Sequence, residues 1–286
     1  MMNEPIDETD YSELRQAACL TIAGSDSGGN AGVQADLRAF HAFGVHGCTV
    51  FTALTAQNPF GVNAAVAVAP EFVSQQFDAV IDLYDIRAMK CGMLATAANV
   101  EVVAERFSLY PRIIRIADPV MIATSGAPLL EEEAIELLKE RLLPNASLIT
   151  PNIPEAMALA DRQEQPADLG ALAKELAQRF QSPVLLKGGH GTDARAEDFL
   201  ADGISLYRIS TPVVDAPLST HGTGCSLSAA IAASAACGRS LIDAVVEGKA
   251  FVYETIRTSI SVGDSVAVLG IVKKIPVNQV VVKEEK

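Results

Sequence analysis

The chain has 286 residues and a formal net charge of −13, and 49% of its residues are hydrophobic. Such a chain can bury a core without disulfide staples, and so acidic a surface argues against a nucleic-acid partner, which needs a basic face. The five cysteines are scattered without metal-ligand spacing, and no apolar run approaches the roughly 20 residues needed to cross a bilayer, so a reduced, cytoplasmic protein without a membrane partner is expected.

Residues 1–16, with Glu4, Asp7, Glu8, Asp10 and Glu13, read as an acidic, disordered extension that lacks the order of a secretory signal. One domain is expected over 17–286. Its first β-branched run, 19–23, stops at Gly24-Ser25-Asp26, and a helix with Val33, Leu37, Phe40 and Gly44 on one face follows. A strand at 49–54 leads to Gln57-Asn58, and a helix starts at Pro70 with Val73, Phe77, Val80 and Tyr84 at helical spacing. Strands at 86–89, 112–117, 147–150 and 184–186 each run into a polar or Gly-rich turn, with helices predicted over 98–107, 131–142, 154–161 and 168–180. Residues 199–209 read as a hairpin turning at Asp202-Gly203, followed by long helices near 225–237 and 240–260. The alternation predicts an α/β protein with a doubly wound, mostly parallel sheet and helices on both faces. In such sheets ligands bind outside the carboxyl ends of the strands.

The strand ends are therefore where chemistry is sought. His221-Gly222-Thr223-Gly224-Cys225 precedes a helix, and unobstructed N–H groups there, with the helix dipole, form an anion site. An ordinary loop entering a helix would use the same residues. Cys225 falls in the first turn, where the dipole lowers a thiol pKa; Cys19, Cys48, Cys91 and Cys237 read as small buried hydrophobes. The Gly-rich turn 24–32 matches neither the dinucleotide fingerprint nor the P-loop. Backbone approach to a ligand, or tight strand-to-helix geometry, would each explain its glycines. Asp118, Asn152, Glu155 and Lys187 stand at strand ends, where the oxygens could hold Mg²⁺ and the lysine could meet phosphates. Turn formation and solvated charge are the plainer alternatives. Gln57 either caps a turn at Asn58-Pro59 or presents its amide to a ring nitrogen beside an exocyclic amine.

Read together, the segments 21–26, 31–37, 52–58, 90–94, 118–121, 150–156, 187–190 and 220–225 resemble, in order, those of bacterial hydroxymethylpyrimidine/phosphomethylpyrimidine kinases, a ribokinase-like family. The resemblance covers roughly residues 18–260. It implies MgATP-dependent phosphorylation of 4-amino-5-hydroxymethyl-2-methylpyrimidine, then of its monophosphate to the pyrophosphate used for thiamine biosynthesis. By position, it implies that Gln57, Ala31, Gly32, Asp36, Met93 and Val120 bind the pyrimidine. Gly222, Thr223 and Gly224 would cradle the transferred group, with Cys225 near the reacting hydroxyl as base or contact. Lys187, Asn152 and Thr223 would face ATP, and Asp118 and Glu155 would hold Mg²⁺. A homodimer is expected. A pyridoxal/pyridoxamine kinase on the same fold and a non-catalytic pyrimidine-binding protein are the alternatives. The chain departs from the family at Gly29-Asn30, where Gly-Gly is usual, and over 266–286, which lacks the Gly-His-Gly ending. The apolar runs 266–272 and 280–282 could be extra strands, an oligomer contact or a divergent lid.

Overall fold

Strand β1 (Ala18–Asp26) is buried along nearly its whole length, as a continuous apolar run in a parallel sheet requires. In this computed structural model, which describes residues 16–122, 129–189 and 195–285, β1 runs parallel to β2 (His46–Asn58) on one side. On the other it pairs with β4 (Ile86–Cys91), after which β5 (Ile114–Ala117), β6 (Leu148–Ile149) and β7 (Val184–Lys187) continue the parallel part. Antiparallel strands finish both ends of the 10-stranded sheet: β3 (Gly61–Ala67) beside β2, and β8 (Arg195–Ala201), β9 (Leu206–Pro212) and β12 (Val281–Glu285) beyond β7. The mostly parallel, doubly wound sheet expected from the sequence is thus found.

Alternate strand residues feed two cores, one on each face of the sheet. Leu20, Ile22 and Met89 point toward α2 (Pro70–Ile81), α3 (Ala97–Leu109), α4 (Glu132–Leu137), α5 (Ile153–Leu159) and α6 (Leu169–Phe180). Cys19, Ala88 and Ile116 point toward α1 (Gly32–Ala42), α7 (Thr223–Ala236) and α8 (Leu241–Arg257). Helix α7 is buried almost all round, and its Ala/Ser composition lets it sit between the sheet, α1 and α8. No described helix is long and apolar enough to cross a membrane.

Two features differ from the sequence reading, and a third selects extra strands among the alternatives it had left for the C-terminal runs. Strand β3 was not foreseen, because most of its residues are exposed and no buried alternation marks it. The helix expected over 131–142 is α4 continued by a π-helical turn, Leu138–Leu142. The two C-terminal runs form strands: β11 (Val266–Val268) pairs with β10 (Ile260–Gly263), and β12 extends the main sheet along β9. Of the acidic extension, all but Gln16 lies outside the described residues, as does His190 of the 187–190 segment.

Candidate active site

The parallel strands end along one sheet edge, and a cavity of about 360 Å³ opens there. Every site residue expected from the sequence lines it except Asp36.

The Gly-rich turn after β1 folds around Asp26. Its carboxylate accepts the backbone N–H groups of Gly28, Asn30 and Ala31 at 2.8–2.9 Å. Burial opposes ionisation there, but His221 and these amides hold the carboxyl below its usual range. The turn then meets the loop before α7. Gly222 has φ +89°, and a Cβ on it would stand 1.9 Å from the Asn30 carbonyl oxygen. Gly32 is as constrained, with φ +57° and Gly24 O 2.3 Å from its would-be Cβ. Close backbone packing therefore accounts for these glycines. Asn30 has no positive φ, so the departure from Gly-Gly leaves the turn intact.

At one end of the cavity Gln57 projects from β2, its amide 3.2 Å from Thr55 Oγ1 and 3.5 Å from His221 Nε2. Met93, Ala31 and Val120 supply apolar walls nearby. Asp36 corrects the sequence reading. It is fully buried on α1, accepting Thr21 Oγ1 at 2.5 Å and Lys90 Nζ at 3.0 and 3.1 Å. Its role is to anchor Lys90, which does line the cavity. Lys90 stays charged: burial works against the ammonium, and Asp36 more than compensates.

Midway along the cavity, Lys187 at the end of β7 reaches Asp118 Oδ1 at 2.8 Å and lies 3.9 Å from Glu155 Oε2. Asp118 also accepts Thr150 Oγ1 at 3.2 Å and Ser228 Oγ of α7 at 3.0 Å. Burial opposes its ionisation, but Lys187 and Lys90 keep its carboxyl below the usual range. Asn152 and Glu155 form a reciprocal capping box at the start of α5, each accepting the other's backbone N–H at 2.9 and 2.8 Å. Burial, and secondarily Asp118, pushes the Glu155 carboxyl up to about 7 against the pull of Lys187.

Cys225 stands in the first turn of α7 and lines the cavity together with Lys90. The sequence reading expected the helix terminus to lower this thiol. Burial instead pushes it up to about 11, although Lys90 counteracts, so the thiol is protonated near neutral pH. Beyond Lys187 the cavity becomes an apolar wing of Val213, Val214, Leu227, Val252, Tyr253 and Ile256. Sequence reasoning missed this wing, as well as Ser228, Lys90 and the buried pair Asp198–Lys249. Lys90 and Lys249 did carry a signal, since each is a cation inside an otherwise apolar strand or helix face.

The model of the phosphomethylpyrimidine kinase family matches residues 26–269. The hydroxymethylpyrimidine/phosphomethylpyrimidine kinase of Salmonella typhimurium is 46% identical, over 83% of this chain and 90% of that protein. The Escherichia coli protein of that name is 42% identical, over 85% and 92%. Among solved structures, the phosphomethylpyrimidine kinase of Clostridium difficile superposes with TM-score 0.73 at 36% identity, covering 85% of this chain and 100% of that one. The Staphylococcus aureus pyridoxal kinase in complex with ADP gives TM-score 0.83 at 27% identity, covering 95% and 99%. With strand-end residues, cavity and relatives in agreement, this chain belongs to the hydroxymethylpyrimidine/phosphomethylpyrimidine kinase family.

Proposed function

We propose that the protein phosphorylates the hydroxymethyl group of the aminopyrimidine with ATP, and then the monophosphate, in thiamine biosynthesis. The observation that carries this reading is the continuity of one cavity from Gln57 and Met93, past Cys225 and Lys187, into the apolar wing. In it, Gln57 pairs with the ring nitrogen and exocyclic amine, while Met93, Ala31 and Val120 hold the ring. The wing receives the adenine. The N–H groups of 222–225 and the start of α7 take the charge of the transferred phosphoryl group, as a preorganised oxyanion site does. The hydroxymethyl oxygen forms its bond to the γ-phosphorus as the bond from that phosphorus to the β,γ-bridging oxygen breaks, ADP departs with the electron pair, and the hydroxyl proton passes to an oxygen of the transferred phosphoryl group. Phosphoryl transfer of this kind rests on positioning and charge stabilisation, so a standing thiolate is not required. Cys225 acts as a neutral thiol against the reacting hydroxyl.

Mg²⁺ fits the residues present. No cluster of three or more His, Cys, Asp or Glu side chains is placed to hold a metal among the described residues, and magnesium commonly uses one or two carboxylates plus substrate phosphates. Both Asp118 oxygens have partners, so Glu155 is the less committed carboxylate and would hold the ion, with Asp118 behind it. When bound, the ion would neutralise phosphate charge. A nearby cation would also relieve the burial that raises the Glu155 carboxyl.

Pyridoxal as a second substrate is favoured by one observation, the closer superposition on pyridoxal kinase structures. The phosphate-facing residues would serve either ring. A non-catalytic pyrimidine binder would have no use for them. Cytoplasmic location is supported by five cysteines that are all free. A homodimer is supported by the exposed Leu54, Phe60 and Val66 on the β2–β3 edge. The reaction is tested by ³¹P NMR of protein, MgATP and hydroxymethylpyrimidine. A phosphomonoester followed by a pyrophosphate is expected; a spectrum in which ATP persists unchanged would overturn the reading.

A further inference from the structure

Asp198 of β8 lies opposite Lys187 in the β7–β8 ladder. Its buried carboxylate has two partners from distant parts of the chain. Oδ1 accepts the Gly188 N–H at 3.1 Å, and Oδ2 accepts Lys249 Nζ of α8 at 2.6 Å. Asp198 and Lys249 both line the cavity on the side of the apolar wing.

Each partner belongs to a wall that is already tightly seated. Gly188 directly follows Lys187, and a Cβ on it would meet the Glu197 carbonyl oxygen at 2.4 Å, so the chain leaving β7 is pressed onto β8. Helix α8 approaches α7 through Gly248, where a Cβ would stand 2.7 Å from Ile231 Cγ1. The same helix presents Val252, Tyr253 and Ile256 to the wing. One carboxylate therefore ties the strand exit that carries Lys187 to the helix that forms the apolar wall. A buried ion pair is weak evidence for stability, since an apolar pair of similar volume often serves as well. Its place at a ligand wall is accounted for by what it fixes.

We propose that Asp198, together with Lys249, positions the nucleotide half of the site, holding Gly188-Gly189 and α8 at the separation ATP needs. This inference rests on the kinase reading above, and neither residue takes part in the transfer.

The test uses the full chain, with Asp198→Asn and the double variant Asp198→Asn/Lys249→Met, which leaves no buried unpaired charge. In both, KM for ATP should rise by about tenfold or more while kcat at saturating ATP stays within about threefold, because uniform binding is what is lost. The Kd of hydroxymethylpyrimidine, measured by calorimetry without nucleotide, should be unchanged, since Gln57 on β2 and Met93 just after β4 belong to neither β8 nor α8. A purely structural pair would lower Tm and leave KM for ATP alone. An unchanged KM for ATP in a folded variant, or a parallel weakening of pyrimidine binding, overturns the inference. Should neither variant fold, amide exchange of Gly188 in the wild type decides, with slow exchange expected and exchange at the rate of an open loop contrary to it. An inactive wild type would sink the kinase reading and this inference with it; an active wild type with unmoved KM values sinks this inference alone.

Discussion

Lys187 Nζ lies 2.8 Å from Asp118 Oδ1, so the cation ending β7 is neutralised by the carboxylate that follows β5. Removing only the cation leaves a charge buried without its partner. Lys187→Met should therefore lower unfolding stability in urea by roughly 3–5 kcal/mol. Lys187→Met/Asp118→Asn should recover most of that stability and none of the turnover. A double variant as unstable as the single one would contradict this pairing.

The Glu155 carboxyl, ordinarily near 4.5, is pushed up to about 7 by burial and then by Asp118. The folded chain thus favours the protonated acid. Its stabilising contribution is complete below 4.5 and is lost as the pH rises through about 7. The nucleotide-free protein should show a Tm that falls between about pH 5 and pH 8 for this reason. Glu155→Gln, which keeps an acceptor for the Asn152 N–H, should flatten that slope. An identical slope in the variant would remove Glu155 as its source.

Two glycines of the anion loop should behave differently. At Gly222 an added Cβ would lie 1.9 Å from Asn30 O with φ +89°, whereas at Gly224 it would meet only Lys187 Nζ at 3.5 Å. Gly222→Ala should separate the loop from the Gly-rich turn and lower kcat at least about 100-fold, comparable to losing an oxyanion donor. Gly224→Ala should keep most activity. Steady-state rates of the two folded variants check this, and equal losses would refute the placement.

With its thiol pushed up to about 11, Cys225 should be alkylated slowly at neutral pH, and the rate should climb without a plateau until the solution approaches that value. Peptide mass spectrometry separates its product from that of the exposed Cys237. Cys225→Ser should lower kcat by less than about tenfold, below the range usual for loss of a general base. A plateau near pH 7, or a loss of about 100-fold or more, would restore the thiolate as the base.

The strand-end residues were legible because each buried run stops where a polar residue begins, as at Asp118 and Lys187. What the sequence hid is non-local. Ser228 meets Asp118 across 110 positions of chain, and one serine among many small residues of α7 gives no sign of it. Asp36 was misplaced because it follows Ala31 and Gly32 closely, whereas a helix turns it inward to Lys90. The thiol of Cys225 was misjudged because its place at a helix terminus can be read from the sequence while its burial cannot. Strand β3 escaped because edge strands with exposed faces lack the buried alternation that marks a strand.

The most direct test of the account is kcat/KM of the purified protein with MgATP for hydroxymethylpyrimidine, its monophosphate and pyridoxal, measured side by side. The geometry around Gln57 and Met93, with the family membership, predicts turnover of both pyrimidines and a higher kcat/KM for hydroxymethylpyrimidine than for pyridoxal. Equal or reversed preference would contradict the assignment of Gln57 to the aminopyrimidine edge and make the protein a vitamin B6 kinase on the same fold.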